Sequence, residues 1–229
     1  MNDRPVVFAH RGFSQNAREN TIRAFELAQE AGVDGIELDI WQSGDGRLVV
    51  HHDPCVEGIP IQKVEASELP DFVPTLPAAL DACASLRVNI EIKSSDEEPE
   101  AALELAEVLI DTLTCRSEPL ERWLVSSFNH EVVDAFSESV PEIPTALLFW
   151  EMPWMNAVQR AVERGHQAIH PHESVVDKKL VEVAKEHQLQ VHAWTVNDLE
   201  RANQLAVLNV DGLITDIPDN ILKHLGSRT

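Results

Sequence analysis

The sequence predicts an α/β fold: a single (β/α)8 TIM barrel with a small extra hairpin after the second strand. Three observations predict it. The 229 residues match the usual length of such a barrel. Short β-rich apolar runs alternate with helical segments from one end to the other, as a parallel sheet with helical crossovers requires. The turn after the first strand reads Ala9-His10-Arg11-Gly12-Phe13 and lacks the Gly-x-Gly of an open, nucleotide-binding sheet. With no linker or low-complexity stretch, one domain is expected over 1–229.

Element by element, a strand at Val6–His10 leads to a helix near Thr21–Ala31 and a strand at Gly35–Gln42. The extended run Leu48–His52 is the extra hairpin, and a helix near Leu76–Ser85 then feeds the strand Val88–Lys93. The next helix has Pro99 in its first turn, with Glu97, Glu98 and Glu100 where the helix dipole favours negative charge. Strands at Trp123–Phe128, Thr145–Phe149, Ala168–His170, Val191–Val196 and Gly212–Thr215 follow. Their helices are expected at His130–Ser139, Met155–Glu163 (stopped by Gly165), Lys178–His187, Leu199–Leu208 and Asn220–Leu225. Leu180, Val183, Ala184 and His187 form one helical stripe, as do Leu199, Ala202 and Leu205. The tail Gly226–Thr229 reads as frayed.

Composition narrows the partners. With 39 Asp+Glu against 18 Lys+Arg the formal net charge is −21, a field that repels nucleic acid and anionic membranes alike. A site for an anionic phosphate must then supply its own local positive charge. Cys55, Cys83 and Cys115 form no paired or zinc-like spacing and read as buried reduced thiols in a reducing compartment. No signal peptide is visible where Met1–Arg4 runs into Val6-Val7-Phe8, and runs such as Ala146-Leu147-Leu148-Phe149-Trp150 fall far short of the roughly 20 apolar residues that span a bilayer. A soluble, cytoplasmic protein is expected, with its subunit number, monomer or homo-oligomer, left open.

Glu37-Leu38-Asp39 carries the most chemistry. Residues two apart on a strand share a face, so both carboxylates point the same way. Neither face of a barrel strand is solvated, and two like charges there need the open end and a counter-charge, or a structural salt-bridge network. Glu91-Ile92-Lys93 repeats the pattern on the next strand. Alone, Glu91 and Lys93 could neutralise each other; together with the first pair they describe a hard, oxygen-preferring cation, Mg²⁺ or Ca²⁺.

His10-Arg11-Gly12 closes the first strand at the same rim, joining a proton carrier, a forked phosphate donor and a residue that lets backbone approach a ligand. In His51-His52-Asp53 adjacent residues face opposite ways, so one histidine reaches the site, and cleaving a phosphodiester requires a second proton carrier. For His51 a solvated or packing role is favoured. His170, His172 and Trp194 lie at later strand ends, where they either touch substrate or simply pack. His130, His166, His187, His192 and His224 read as structural or exposed, and nothing near Cys55 marks an activated nucleophile.

Taken together, the motifs resemble the glycerophosphodiester phosphodiesterases. His10-Arg11-Gly12, Glu19-Asn20-Thr21, Gly32-Val33-Asp34-Gly35-Ile36-Glu37-Leu38-Asp39, His52-Asp53 and Glu91-Ile92-Lys93 match that family's order and spacing. So do Pro74-Thr75-Leu76, Ala193-Trp194-Thr195-Val196-Asn197 and Asp211-Gly212-Leu213-Ile214-Thr215-Asp216, so that nearly the whole chain is covered. The resemblance implies hydrolysis of glycerophosphodiesters to glycerol 3-phosphate and an alcohol, with Glu37, Asp39 and Glu91 on one divalent cation, His10 and His52 as the acid–base pair, and Arg11 and Lys93 on the phosphate. It also implies attack by the neighbouring glycerol hydroxyl to give a cyclic phosphate. Many relatives carry a Leu-Asp-Arg-Thr-like stretch and a longer insertion after the His-Asp. Here Pro54–Pro60 leads quickly to Pro74, which bears on the headgroup side of the pocket. Two rivals stand beside this reading: a phospholipase D-like enzyme acting on lyso-phospholipids, and a catalytically silent barrel that binds phosphate esters.

Overall fold

Alternation within each strand builds the molecule. In β1 (Val6–His10), Val7 and Ala9 join the apolar layer under the helices, while Val6 and Phe8 pack inside the ring with Ile214 and Trp194. The same two-residue period runs through β2 (Gly35–Gln42), β6 (Arg87–Ile92), β7 (Trp123–Ser127), β8 (Thr145–Phe149), β9 (Ala168–Pro171), β10 (Gln190–Ala193) and β11 (Gly212–Thr215). In the computed structural model, which describes residues 4–95 and 99–226, these eight strands pair in parallel in that order and β1 closes the ring against β11.

Among the described residues eight α-helices form the outer shell: α1 (Ile22–Ala31), α2 (Leu76–Ala82), α3 (Pro99–Thr114), α4 (His130–Ser139), α5 (Trp154–Arg164), α6 (Lys178–Glu186), α7 (Leu199–Val207) and α8 (Pro218–Leu225). Their ends follow local chemistry. Thr21, Asn129, Asp177 and Asp198 accept first-turn backbone N–H groups, and α8 starts two residues earlier than expected because Pro218 suits the first helical position. The main core lies between strands and helices, where each fully buried Leu or Phe contributes about 1.5–3 kcal/mol.

The extra element is larger than a hairpin. β3 (Leu48–Val50) returns antiparallel to β2, and a separate ribbon, β4 (Cys55–Val56) with β5 (Ile59–Pro60), turns at Glu57-Gly58. Two short 3₁₀ turns follow, and Val56, Ile61 and Leu69 bury against Trp41 and Val49 as a satellite core. Three expectations need correction. Cys55 and Cys115 are exposed and only Cys83 is buried. On α6 the buried stripe is Leu180, Val181 and Ala184, leaving His187 exposed, and on α7 Leu199 is exposed above buried Ala202 and Leu205. Among the first-turn acids, Glu97 and Glu98 lie outside the described residues, as do residues 227–229 of the tail. Among the described residues no helix is long and apolar enough to cross a membrane.

Candidate active site

Strand register assembles the site. His10 on β1 is aligned with Glu37 on β2, and Asp39 on β2 with Glu91 on β6, so ladder pairing alone sets these four side chains at the C-terminal rim. One ligand atom from each of Glu37, Asp39 and Glu91 lies within 4.8 Å of the others, and all three residues are buried. Arg11 and Asn20 both hold left-handed backbone angles (φ 57° and 56°), uncommon for residues with a Cβ and concentrated at functional turns. Gly12 follows at φ 79°, where a Cβ would lie 2.8 Å from Ala24, so only glycine lets this turn rest on α1.

Three carboxylates face two cations. Lys93 Nζ sits 2.7 Å from Glu91 Oε1 and 3.1 Å from Asp39 Oδ1. Arg11 Nε lies 3.5 Å from Asp39 Oδ2, which also accepts a 2.8 Å hydrogen bond from Asn20. Glu37 receives the Arg11 backbone N–H at 2.9 Å on Oε2, but its Oε1 is buried with no hydrogen-bond partner among the described residues. Burial, reinforced by Asp39, pushes the Glu37 carboxyl up to about 8. Glu91 is raised by the same two causes. Burial also works against the charged form of Asp39, yet Lys93 and Arg11 hold it below the usual carboxylate range. The charge deficit therefore falls on Glu37 and Glu91. An unsatisfied buried carboxylate oxygen among hard oxygen donors fits a divalent cation, which would favour the ionised form of all three acids.

The histidines flank this trio differently. His10 Nδ1 is 2.7 Å from Asp216 Oδ1, and its Nε2 lies 3.2 Å from Arg11 Nε and 3.9 Å from Glu37 Oε2. Burial lowers the affinity of His10 for a proton, but the Asp216 hydrogen bond and Glu37 outweigh it and raise its pKa. Asp216 is itself fixed by Ser14 and Asn197, and pairing with His10 brings it down to about 2 against the effect of burial. His52 is half-buried and hydrogen-bonded to Asp53, and burial with nearby Lys93 lowers its pKa. His51 is engaged with the Asp53 carbonyl, and because β3 ends at Val50, short of the expected Leu48–His52, both histidines lie in the loop after the strand.

One pocket of about 130 Å³ joins the sequence-predicted residues: His10, Arg11, Glu37, His52, Glu91, Lys93 and Trp194 line it, with Asp39 directly beneath through Lys93 and Arg11. Sequence reasoning gave no role to Asp216, Glu19 or Asn20. Asp216 directly follows the last barrel strand, a rim position that could have flagged it; Glu19 and Asn20 reach Arg11 and Asp39 from a loop whose path the sequence does not reveal. His170 is fully buried inside the ring against His192, away from any substrate, whereas His172 stands at the rim beside Trp150.

Comparison with known proteins finds similar chains and similar folds. The sequence profile described as the Glycerophosphoryl diester phosphodiesterase family matches residues 10–69 and 56–220. A glycerophosphodiester phosphodiesterase of Caldanaerobacter subterraneus subsp. tengcongensis is 32% identical, over 95% of this chain and 96% of its own length. A phosphodiesterase of Oleispira antarctica, solved with the product sn-glycerol-3-phosphate, superposes with a TM-score of 0.88 over 98% of both chains at 26% identity. A glycerophosphodiester phosphodiesterase of Parabacteroides distasonis gives 0.86 at 28% identity, again over 98% of each chain.

Proposed function

From the premise that the chain belongs to the glycerophosphoryl diester phosphodiesterase family, we propose how its rim carries out that chemistry. The protein is a phosphoric diester hydrolase that splits glycerophosphodiesters. Glu37, Asp39 and Glu91 hold one divalent cation, Mg²⁺ or Ca²⁺, in this reading. The observation that carries it is the buried, unpartnered Glu37 Oε1 within a three-carboxylate cluster that has two cationic side chains. Bound there, the cation supplies charge neutralisation for the phosphoryl oxygens.

The remaining work belongs to the side chains. Arg11 commits Nε and Nη1 to the protein, and its Nη2 has no partner among the described residues, leaving a donor for a phosphate oxygen. Lys93 reaches the same side of the phosphate as a point charge. One of His10 and His52 takes the proton of the glycerol hydroxyl next to the phosphoester as that oxygen bonds to phosphorus; the other protonates the departing alcohol oxygen. The cyclic phosphate formed is opened by water with the two roles exchanged, releasing glycerol 3-phosphate. Because the nucleophile is part of the substrate, little ordering is required and charge neutralisation dominates. Asp216 acts through His10 as a positioning residue, fixing the ring by Nδ1 as a buried carboxylate aligns an imidazole.

The test is release of glycerol 3-phosphate from glycerophosphocholine, glycerophosphoethanolamine and glycerophosphoglycerol, with chelator and with each metal restored. Loss in chelator and recovery with Mg²⁺ or Ca²⁺ is expected. Undiminished turnover in chelator would remove the cation from the reading, and no release from any ester would favour a silent, ester-binding barrel.

A further inference from the structure

The rim divides into two halves by strand. The ends of β11, β1, β2 and β6 carry Asp216, His10, Arg11, Asp39, Glu91 and Lys93. The four strands opposite each place one ring on the residue after their last: Phe128 after β7, Trp150 after β8, His172 after β9 and Trp194 after β10. Trp150 stacks on His172 with centroids 4.3 Å apart, and Trp194 stands nearly perpendicular to Trp150, His172 and Phe128 at 6.3, 5.0 and 5.4 Å. Phe128 and Trp150 remain about half exposed, and Phe128 and Trp194 border the same pocket as Glu37 and Glu91. Two half-exposed rings, backed by two partly buried ones, beside a charged site are not a packing requirement of the barrel.

We infer that this aromatic half-rim is the headgroup site and that it takes a trimethylammonium group, making choline esters the preferred substrates. The inference rests on the proposed activity and names its substrate class. Aromatic faces attract a cation that carries its charge on methyl groups. Two of the wall's polar atoms are turned to the protein: Trp194 Nε1 donates to the His170 carbonyl at 2.8 Å, and His172 Nδ1 pairs with the Ser174 hydroxyl at 2.7 Å. A primary ammonium or a second glycerol would exchange water for ring faces, which are poor hydrogen-bond partners, whereas a quaternary nitrogen has no N–H to satisfy. The field of a chain carrying −21 favours the cation further.

The test compares kcat/KM for glycerophosphocholine, glycerophosphoethanolamine and glycerophosphoglycerol in the wild type, Trp150→Leu and Trp150→Phe. The wild type is expected to favour the choline ester by about tenfold. Trp150→Leu, which keeps apolar bulk and removes the aromatic face, should lose most of that ratio through KM, and Trp150→Phe should keep most of it. Equal losses on all three esters, or a full ratio in the leucine variant, would overturn the inference. Tetramethylammonium chloride, titrated against tryptophan fluorescence beside ammonium chloride of equal ionic strength, reads the wall without turnover. A saturable change with tetramethylammonium alone, absent in Trp150→Leu, is expected; identical responses to the two salts would sink the site. If no ester is cleaved, the activity falls on its own and the titration still decides whether the wall binds its cation.

Discussion

Among the described residues two buried clusters combine carboxylate, histidine and arginine, and one of them is short of partners. Between α4, β8 and α5, Asp134 takes Arg160 and His166 at 2.8 and 2.9 Å and Arg164 at 3.2 Å, while His166 closes on the Thr145 hydroxyl at 2.8 Å. Burial opposes ionisation of Asp134, but Arg160 and His166 prevail and lower its pKa. At the rim the balance is reversed: Glu37 is driven up to about 8 and keeps a buried oxygen unpaired. A saturated cluster reads as structure. A deficient one of the same residue types marks the place where a ligand completes the set.

The contrast is broken most directly by exchanging each acid for its amide. Glu37→Gln should cut kcat/KM by about 1,000-fold while leaving the urea midpoint nearly unchanged, since burial already favours the neutral acid and the amide is its neutral isostere. Asp134→Asn should do the opposite, costing about 3 kcal/mol of stability with kcat/KM nearly intact. If both variants lose stability and keep activity, the two clusters are alike and the distinction fails. Next in size, His10→Ala and His52→Ala should each lower kcat by about 100- to 10,000-fold, with Asp216→Asn nearer tenfold because it only releases the His10 ring. A wild-type rate in either alanine variant would strike that histidine from the proton relay.

A metal titration sharpens the comparison without chemistry. Mg²⁺ or Ca²⁺ at about 100 times its dissociation constant should stabilise the fold by about 3 kcal/mol, an increment that disappears in Glu37→Ala and persists in Asp134→Asn. Thermal melts with and without chelator read it, and an equal shift in Glu37→Ala would place the ion elsewhere. An effect confined to acid pH comes from the uncharged counterpart of both clusters, the stacked His170–His192 pair inside the ring, whose His170 nitrogens and His192 Nδ1 lack hydrogen-bond partners among the described residues. Burial lowers His192 to about 4. The unfolded chain therefore binds a proton that the native one refuses, so this contribution is complete above about pH 6.5 and is lost as pH falls toward about 4, by roughly 3 kcal/mol. His192→Met should flatten the acid limb of a stability–pH curve, and an unchanged limb would assign it to other groups.

Much of this was legible in the sequence, for reasons that differ by feature. Glu37, Asp39 and Glu91 could be read together because strand geometry fixes the direction of side chains two apart, and register then fixed Asp39 beside Glu91. Helix ends were legible where a capping residue or glycine announced them, as at Thr21 and Gly165. They were not at α2, which stops at Ala82 instead of Ser85 because Ala84 enters the left-handed region without a glycine to signal it. The buried stripe of α6 was misread because one-residue and three-residue spacings both fit a helix face until its seat on the barrel is known. The pairing of His10 with Asp216, 206 residues apart, and the ring stack of Trp150 on His172 depend on which strands become neighbours, information that exists only once the ring is closed.

That closure has a consequence for the protein's synthesis. The residues proposed to hold the cation are all present by Glu91, but the carboxylate that steadies His10 arrives with the final strand, whose pairing with the first seals the barrel. A ribosome-bound or C-terminally clipped chain can thus carry the acids and still lack a properly aimed imidazole. Full turnover therefore awaits the pairing of the last barrel strand with the first.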